Sequence, residues 1–152
     1  MRVDDLKYAS LGKIKATFMQ LNPVPEVVRQ GFFRASFIGP WWLRISAHPS
    51  LSLTGLPNWQ GKKFINAANA TNILQAEQRQ IEKFHMQCLE QYSLVDGNMT
   101  TVLNYGAHAV KPWCWVVDEI RYLDQDTLLC MTVINVPVLR HFSFPFILSR
   151  DL

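Results

Sequence analysis

Three ionisable residues lie close together inside one apolar run, Asp118, Glu119 and Arg121. Successive residues of a β-strand point to opposite faces, so Glu119 and Arg121 share one face and Asp118 lies on the other. Two interpretations of the Glu119–Arg121 pair stay open. It is either an ion pair on the wet side of a half-buried sheet or a polar anchor inside a ligand cavity, where Arg121 would hold a carboxylate or enolate oxygen.

Asp118 is judged apart from that pair because its face is otherwise apolar, with Val116 and Ile120 as neighbours. If Asp118 lies inside the protein without a partner, desolvation raises its pKa and makes it a candidate general acid or base. The plainer interpretation is a hydrogen bond to backbone or a turn. Asp118 and Glu119 are the candidate catalytic residues if the protein is an enzyme.

Other reactive residue types form no catalytic pattern. The chain has four histidines, His48, His85, His108 and His141. Their spacing does not suit a multi-histidine metal site, so no metal is predicted, although His85 or His141 could serve as an axial haem ligand. There is no Gly-x-Ser-x-Gly elbow and no glycine-rich phosphate loop. The cysteines are predicted to be reduced core residues, Cys88, Cys114 and Cys130.

The composition indicates an aromatic-rich globular chain. Charged residues make up 18% of the 152 residues, below the roughly 25% usual for soluble domains. Five Trp and nine Phe indicate a large aromatic interior or a cavity walled by aromatic side chains. The net charge is only +3 and the basic residues are scattered, which argues against a nucleic-acid partner.

The N-terminal residues lack the apolar core of a signal peptide, and no window approaches the roughly 20 apolar residues of a membrane span. A cytoplasmic protein is expected. The oligomeric state is left open, with a dimer as one option.

The first 30 residues have helical patterns. Apolar residues spaced along 6–21 predict an amphipathic helix, and Pro25 at a first helical turn predicts a short second one. Composition then changes to β-type from Gly31. Within that part, residues 41–53 are apolar but interrupted by His48-Pro49, and the Trp41/Trp42–Ile45 spacing predicts a short helix there as a lid or plug.

The remaining segments are predicted as strands and turns. Strands are expected at 31–40, 59–65 and 100–105, and in the two arms of a hairpin that turns at Asp124–Asp126. Residues 66–72 are expected to form a polar loop. Residues 75–92 fit a helix or a strand, and a strand from about Glu82 is preferred. Pro145 predicts that 142–148 is an edge segment.

About seven short β-type runs after two helices predict a mainly β, small antiparallel barrel with N-terminal helices. We expect a single domain over 1–152, with a helical cap at 1–30 and the barrel at 31–152. A half-open sheet crossed by a helix is the alternative. A barrel of about eight strands can hold one small ligand.

Two segments resemble a pair of bacterial domains. Gly55–Phe64, which includes Trp59-Gln60-Gly61-Lys62-Lys63-Phe64, resembles the Trp/Tyr-x-Gly-Lys-Arg-Phe strand of GXWXG-domain proteins. Asp118–Met131 resembles the hairpin of the DUF4334 domain paired with them. Phe33 and Ala35 stand where the GXWXG motif has its Trp and second Gly, and Cys130 replaces a Gly. The resemblance implies a calycin-like barrel with a pocket for a hydrophobic small molecule.

The sequence therefore predicts binding of a small hydrophobic or amphipathic molecule, without a cofactor. Its wall residues are Phe33, Trp42, Trp59, Phe84, Met86, Tyr105 and Met131. Glu119 and Arg121 would be the anchor. A cofactor-free isomerase or cyclase acting on a terpenoid-like or polyketide-like substrate is the alternative, and a barrel filled by its own Trp side chains is a third. Lys62 and Lys63 are expected at a solvated strand end, or near an anionic head group.

Overall fold

The computed structural model describes residues 3–150, and within them the β-strands close an antiparallel barrel. The strands are β1 (Asn22–Pro23), β2 (Gly31–Phe37), β3 (Trp59–Asn66), β4 (Asn69–Ala76), β5 (Arg79–Tyr92), β6 (Met99–Asn104), β7 (Val116–Asp124), β8 (Thr127–Ile134) and β9 (Ser143–Ser149). The wall runs β7-β6-β5-β4-β3-β2-β9-β8, and β8 pairs again with β7. This eight-stranded barrel confirms the predicted fold class, and the half-open sheet is wrong.

Three helices accompany the barrel, α1 (Asp4–Lys7), α2 (Leu11–Met19) and α3 (Trp41–Leu53). The single helix predicted over 6–21 is two helices, because Ser10 caps α2 by accepting a hydrogen bond from the Lys13 amide at 3.2 Å. The predicted second helix is only a 3₁₀ turn, Glu26–Val28. Further 3₁₀ turns are Trp113–Trp115 and Leu139–His141. None of the helices within 3–150 has the length and apolar character needed to cross a membrane.

Two apolar cores form on opposite sides of the barrel wall. Along β8, Leu128 and Cys130 point into the barrel, whereas Leu129 and Met131 point outward. The outward residues pack against Leu6 of α1 and against the buried face of α2, which includes Phe18. The N-terminal helices therefore cover the outside of the barrel and leave its interior to strand residues.

In the middle of the chain one local prediction is corrected, and the choice between helix and strand for 75–92 is decided for the strand. Residues 66–72 are not a loop, because β4 begins at Asn69 after a tight turn. Residues 75–80 are not helical, because Gln75 pairs with Gln80 across the next hairpin and β5 runs from Arg79. Pairing with strands on both sides overrides the helix propensity of this segment.

Pro145 is not on an edge strand, since β9 pairs with both β8 and β2. The pairing with β2 covers only Phe146 to Ser149, so Pro145 lies just outside that ladder and is paired on one side only, with Met131 of β8. Closure of the barrel removes the edge that the sequence had indicated.

Candidate functional site

A cavity of about 370 Å³ lies in one end of the barrel, beneath α3. Apolar side chains from α3, from the strands and from the 3₁₀ turn at Trp113 form most of its wall, among them Leu43, Ala47, Trp59, Trp113 and Phe146. Its polar side chains on the barrel side are Lys62, Asn72, Tyr105, Asp118 and Thr132. Tyr105 directly follows β6 and the others come from four different strands, so they meet because the barrel is closed.

Lys62 is the centre of this polar group, and it is only 1% exposed. Its Nζ lies 2.9 Å from Oδ2 of Asp118. It also donates to Oδ1 of Asn72 at 2.9 Å and to the Tyr105 hydroxyl at 3.1 Å. The ammonium group is thus bound to three oxygens, as a buried cation requires.

Asp118 points into the barrel, but it is not the unpartnered carboxyl considered from the sequence. Besides Lys62, its Oδ1 accepts a hydrogen bond from Oγ1 of Thr132 at 2.6 Å. The two oxygens are therefore each held by a different partner, one charged and one neutral. Asp118 and Lys62 form a buried ion pair whose side chains are 4% and 2% exposed.

The pKa directions follow from this arrangement. Burial by itself would lower the pKa of Lys62, but the charge and hydrogen bonds of Asp118 and Tyr105 outweigh it and raise that pKa. Burial raises the pKa of the Tyr105 phenol, although Lys62 and Asn72 oppose this. At neutral pH, Lys62 is therefore a cation and Tyr105 keeps its hydroxyl hydrogen.

A bulge at Gly61 turns Lys62 inward. Trp59 pairs with Leu74 but Gly61 pairs with Ile73, so an extra residue interrupts the ladder. If side chains alternated strictly from Trp59, which points into the barrel, Lys62 would point outward. The extra residue in the bulge shifts the alternation by one, so Trp59 and Lys62 both point into the barrel. A Cβ at Gly61 would lie 2.1 Å from the carbonyl oxygen of Phe33, so only glycine fits. A glycine inside a predicted strand often marks a bulge. Gly61 was therefore the sequence signal from which the inward direction of Lys62 could have been predicted.

Apart from Met131, the predicted wall residues divide into three groups. Trp42, Trp59 and Tyr105 line the cavity. Phe33 and Met86 lie inside the barrel but do not line it. Phe84 packs behind the wall, with ring centroids 6.5 Å from Tyr105 and 5.7 Å from Trp113.

Met131, Glu119 and Arg121 lie on the outside of the barrel wall, beneath other parts of the chain. Met131 belongs to the core under the N-terminal helices. Arg121 holds Asp96 with two hydrogen bonds of 2.7 and 2.8 Å and donates to the Phe18 carbonyl at 2.9 Å. It is thus a buried structural tie between α2 and the β5–β6 loop, not a group in the cavity.

Glu119 likewise holds the β5–β6 loop against the outside of the barrel. Its carboxylate accepts hydrogen bonds from the Ser93 hydroxyl at 2.5 Å and from the Leu94 amide at 2.8 Å. Burial raises its pKa, against the effect of these bonds. The predicted sharing of one face by Glu119 and Arg121 matches the structure, but that face is covered and does not meet the cavity. The polar side chains that do line the cavity are those of Lys62 and its partners.

The histidines and cysteines supply no ligand to the cavity. The side chains that line it include no histidine, and both His85 and His141 are exposed on the surface, where neither reaches a haem inside the barrel. Residues 3–150 contain no cluster of His, Cys, Asp and Glu able to hold a metal ion. Cys88 and Cys130 are buried free thiols, and burial raises the pKa of each.

Comparison with known proteins shows the fold. No protein-family model matches the chain, and no curated protein matches it either. A crystal structure of a protein from Thermomonospora curvata aligns with 95% of this chain and 90% of its own, with a TM-score of 0.71 and 16% sequence identity. Fold and site together define an antiparallel barrel that encloses a largely apolar cavity with one polar wall.

Proposed function

We propose that this protein binds a small apolar or amphipathic molecule inside the barrel. The observation that carries the proposal is the cavity of about 370 Å³, whose wall is mostly apolar, with the group around Lys62 on the barrel side and the hydroxyl residues Ser46, Ser50 and Thr54 on the side of α3. Ligand sites typically combine an apolar wall with a few placed polar groups and occupy about 300–1,000 Å³. A barrel filled by its own Trp side chains would leave no such space.

Helix α3 is the proposed cover of the site. It lies over the barrel end and contributes Ala47 and Leu51 to the cavity wall, yet none of its residues is fully buried. On its other face, Trp41 and Ile45 are 66% and 68% exposed. Few buried contacts make displacement of α3 less costly than opening of the strand ladder, so a ligand would enter past this helix.

A fluorescent hydrocarbon tests the proposal. Pyrene has no polar atom and is expected to bind wild-type protein with a lower ratio of its first to its third vibronic emission band, as in an apolar solvent. Ala47→Trp should fill the cavity and weaken pyrene binding at least about tenfold, a change of about 1.4 kcal/mol. Ser52→Trp, on an exposed position of the same helix that does not line the cavity, is the matched control and should bind like wild type. Equal binding by both variants would exclude the cavity as the site.

Native mass spectrometry of protein purified from its own source provides the second measurement. A retained small molecule that is absent from the Ala47→Trp variant would identify the natural ligand.

A cofactor-free isomerase or cyclase is the second candidate, favoured by the position of Asp118 and Tyr105 on the same cavity wall. Such a reaction needs mainly an ordered substrate and one placed proton-transfer group. Asp118→Asn, studied under conditions in which circular dichroism shows the variant folded, should abolish conversion of the recovered ligand, followed by chromatography, while binding persists. Glu119→Gln, outside the cavity, is the control. If wild-type protein binds the ligand but does not convert it, the isomerase or cyclase hypothesis is wrong and only the binding function stands.

We also propose a distant relationship to the GXWXG and DUF4334 proteins. Its support is that the two similar segments contribute β3 and the β7–β8 hairpin of one barrel, and that Gly61 is sterically required there. Superposition on a solved member should bring its Gly-Lys pair onto Gly61 and Lys62; a different bulge position would contradict the relationship.

A further inference from the structure

We infer that the ligand carries an uncharged oxygen acceptor, such as a ketone, at its polar end, and that Tyr105 donates the hydrogen bond to it. This inference rests on the proposed binding function and names the chemical class of the molecule bound. It depends on two independent features of the polar wall, the charge balance and the count of hydrogen-bond donors.

The charge balance argues against an anionic ligand. The positive charge of Lys62 is already matched by Asp118 at 2.9 Å. All three N–H donors of Lys62 have oxygen partners, namely Asp118, Asn72 and Tyr105. A ligand carboxylate would therefore enter an apolar cavity beside a carboxylate and without a free cation, which is strongly unfavourable.

The orientation of the Asn72 amide is fixed by its donors. Its Oδ1 accepts from Nε1 of Trp59 at 3.1 Å as well as from Lys62, so this atom must be the oxygen. Its Nδ2 then donates to the Phe84 carbonyl at 3.3 Å and to the Tyr105 hydroxyl at 3.0 Å. Asn72 is thereby fully used and has no group left for a ligand.

Tyr105 is left with one hydrogen to donate. Its hydroxyl oxygen accepts from both Lys62 and Asn72, which occupies its two lone pairs. Within residues 3–150, no hydrogen bond is formed by the hydroxyl hydrogen itself. Because burial raises the pKa of this phenol, the hydrogen is present at neutral pH. Tyr105 lines the cavity, so an acceptor oxygen on the ligand completes the network.

The first experiment compares two ligands of equal carbon number by displacement of pyrene at pH 7. Methyl nonyl ketone presents a neutral acceptor, and undecanoate presents a carboxylate. The ketone is expected to bind wild-type protein at least about tenfold more tightly. Undecanoate binding as tightly as the ketone would overturn the inference.

The second experiment removes the Tyr105 hydroxyl, which also accepts from Lys62 and Asn72. Tyr105→Phe should weaken ketone binding about three- to tenfold, the effect of one neutral hydrogen bond, and by a larger factor than it changes pyrene binding. Tyr122→Phe is the control, because Tyr122 packs against the barrel core without lining the cavity. Unchanged ketone affinity in Tyr105→Phe would contradict the role of Tyr105. If Tyr105→Phe does not fold, the comparison of ketone and undecanoate binding to wild-type protein still tests the inferred ligand class.

Different results would contradict the binding function and the inferred ligand class. Absence of pyrene binding to wild type would remove the binding function itself. Pyrene binding with no preference for the ketone would remove only the inference about ligand class.

Discussion

At the scale of single residues, the cavity depends on charges that the fold pairs internally. Lys62 and Asp118 neutralise each other inside the barrel, while Arg121 and Asp96 do the same on the outside, with side chains that are each 1% exposed. A buried charge is tolerated only with a partner and further hydrogen bonds. Both pairs meet this condition, so each residue should be far costlier to remove than a surface charge.

Lys62→Met is expected to lower the free energy of unfolding by about 3–5 kcal/mol, because Asp118 would remain buried without a cation. Urea denaturation measures this. Lys63→Met is the matched control: Lys63 lies 3.5 Å from Glu82, and these side chains are 46% and 55% exposed, so a loss under about 1 kcal/mol is expected. Adding Asp118→Asn to Lys62→Met should recover part of the loss, and a further loss would contradict the argument.

The Arg121–Asp96 pair predicts a defined pH dependence. The hydrogen bonds from Arg121 lower the pKa of Asp96 from 3.8 to about 2. Because the pKa of Asp96 is lower in the folded than in the unfolded state, its carboxylate stabilises the fold at pH values above the unfolded pKa of 3.8. This stabilisation is lost as the pH falls from 3.8 towards 2. The raised pKa of Glu119 acts in the opposite direction.

Asp96→Asn isolates the effect of Asp96. The difference in unfolding free energy between wild type and this variant should be constant near neutral pH and shrink by about 2 kcal/mol in strongly acidic solution. Urea titrations across the pH range measure it. A difference independent of pH would show that the carboxylate charge of Asp96 does not stabilise the fold.

At the scale of elements, strand irregularities decide what reaches the cavity. The bulge in β3 at Gly61 brings Trp59 and Lys62 to the same side of the wall. Sequence alternation correctly separated Asp118 from Glu119 and Arg121, because β7 is regular where these residues lie. Lys62, expected at a solvated strand end, is buried instead, since one extra residue reverses the side of every later side chain in β3.

Gly61→Ala should destabilise the protein by more than about 3 kcal/mol, because its Cβ would lie 2.1 Å from backbone and the ladder must shift. Gly12→Ala is the control: Gly12 is in α2 with no atom within 4 Å of the added Cβ. It should stabilise by about 0.5–1 kcal/mol. Thermal and urea unfolding measure both. A Gly61→Ala protein as stable as wild type would mean that the bulge is not needed.

At the scale of the whole molecule, a closed strand ladder contrasts with a loosely packed cover. Each strand of the eight-stranded wall has neighbours on both sides, and a second core fixes α2 to the outside. Helix α3 has no fully buried residue, and one of its few ties is the hydrogen bond from Nε1 of Trp113 to the Thr54 carbonyl at 2.7 Å. Local stability is therefore expected to be lowest above the cavity.

Hydrogen–deuterium exchange should reveal this difference. Amides of α3 are expected to exchange much faster than those of β7 and β8, whose pairing is continuous over most of their length. Saturating methyl nonyl ketone should slow exchange in α3 and leave the slowest barrel amides unchanged. Equal protection of α3 and β7 without ligand would contradict a weakly held cover.

The sequence by itself determined the barrel class, the presence of a helix within 41–53, the β7–β8 hairpin and the separation of Asp118 from Arg121, because these depend on composition and on short-range periodicity. Tertiary structure alone decided which groups meet. Lys62, Asn72, Tyr105 and Asp118 are up to 56 residues apart and contact one another only through barrel closure and the β3 bulge. Register and bulges arise from pairing between distant strands, which local patterns do not encode.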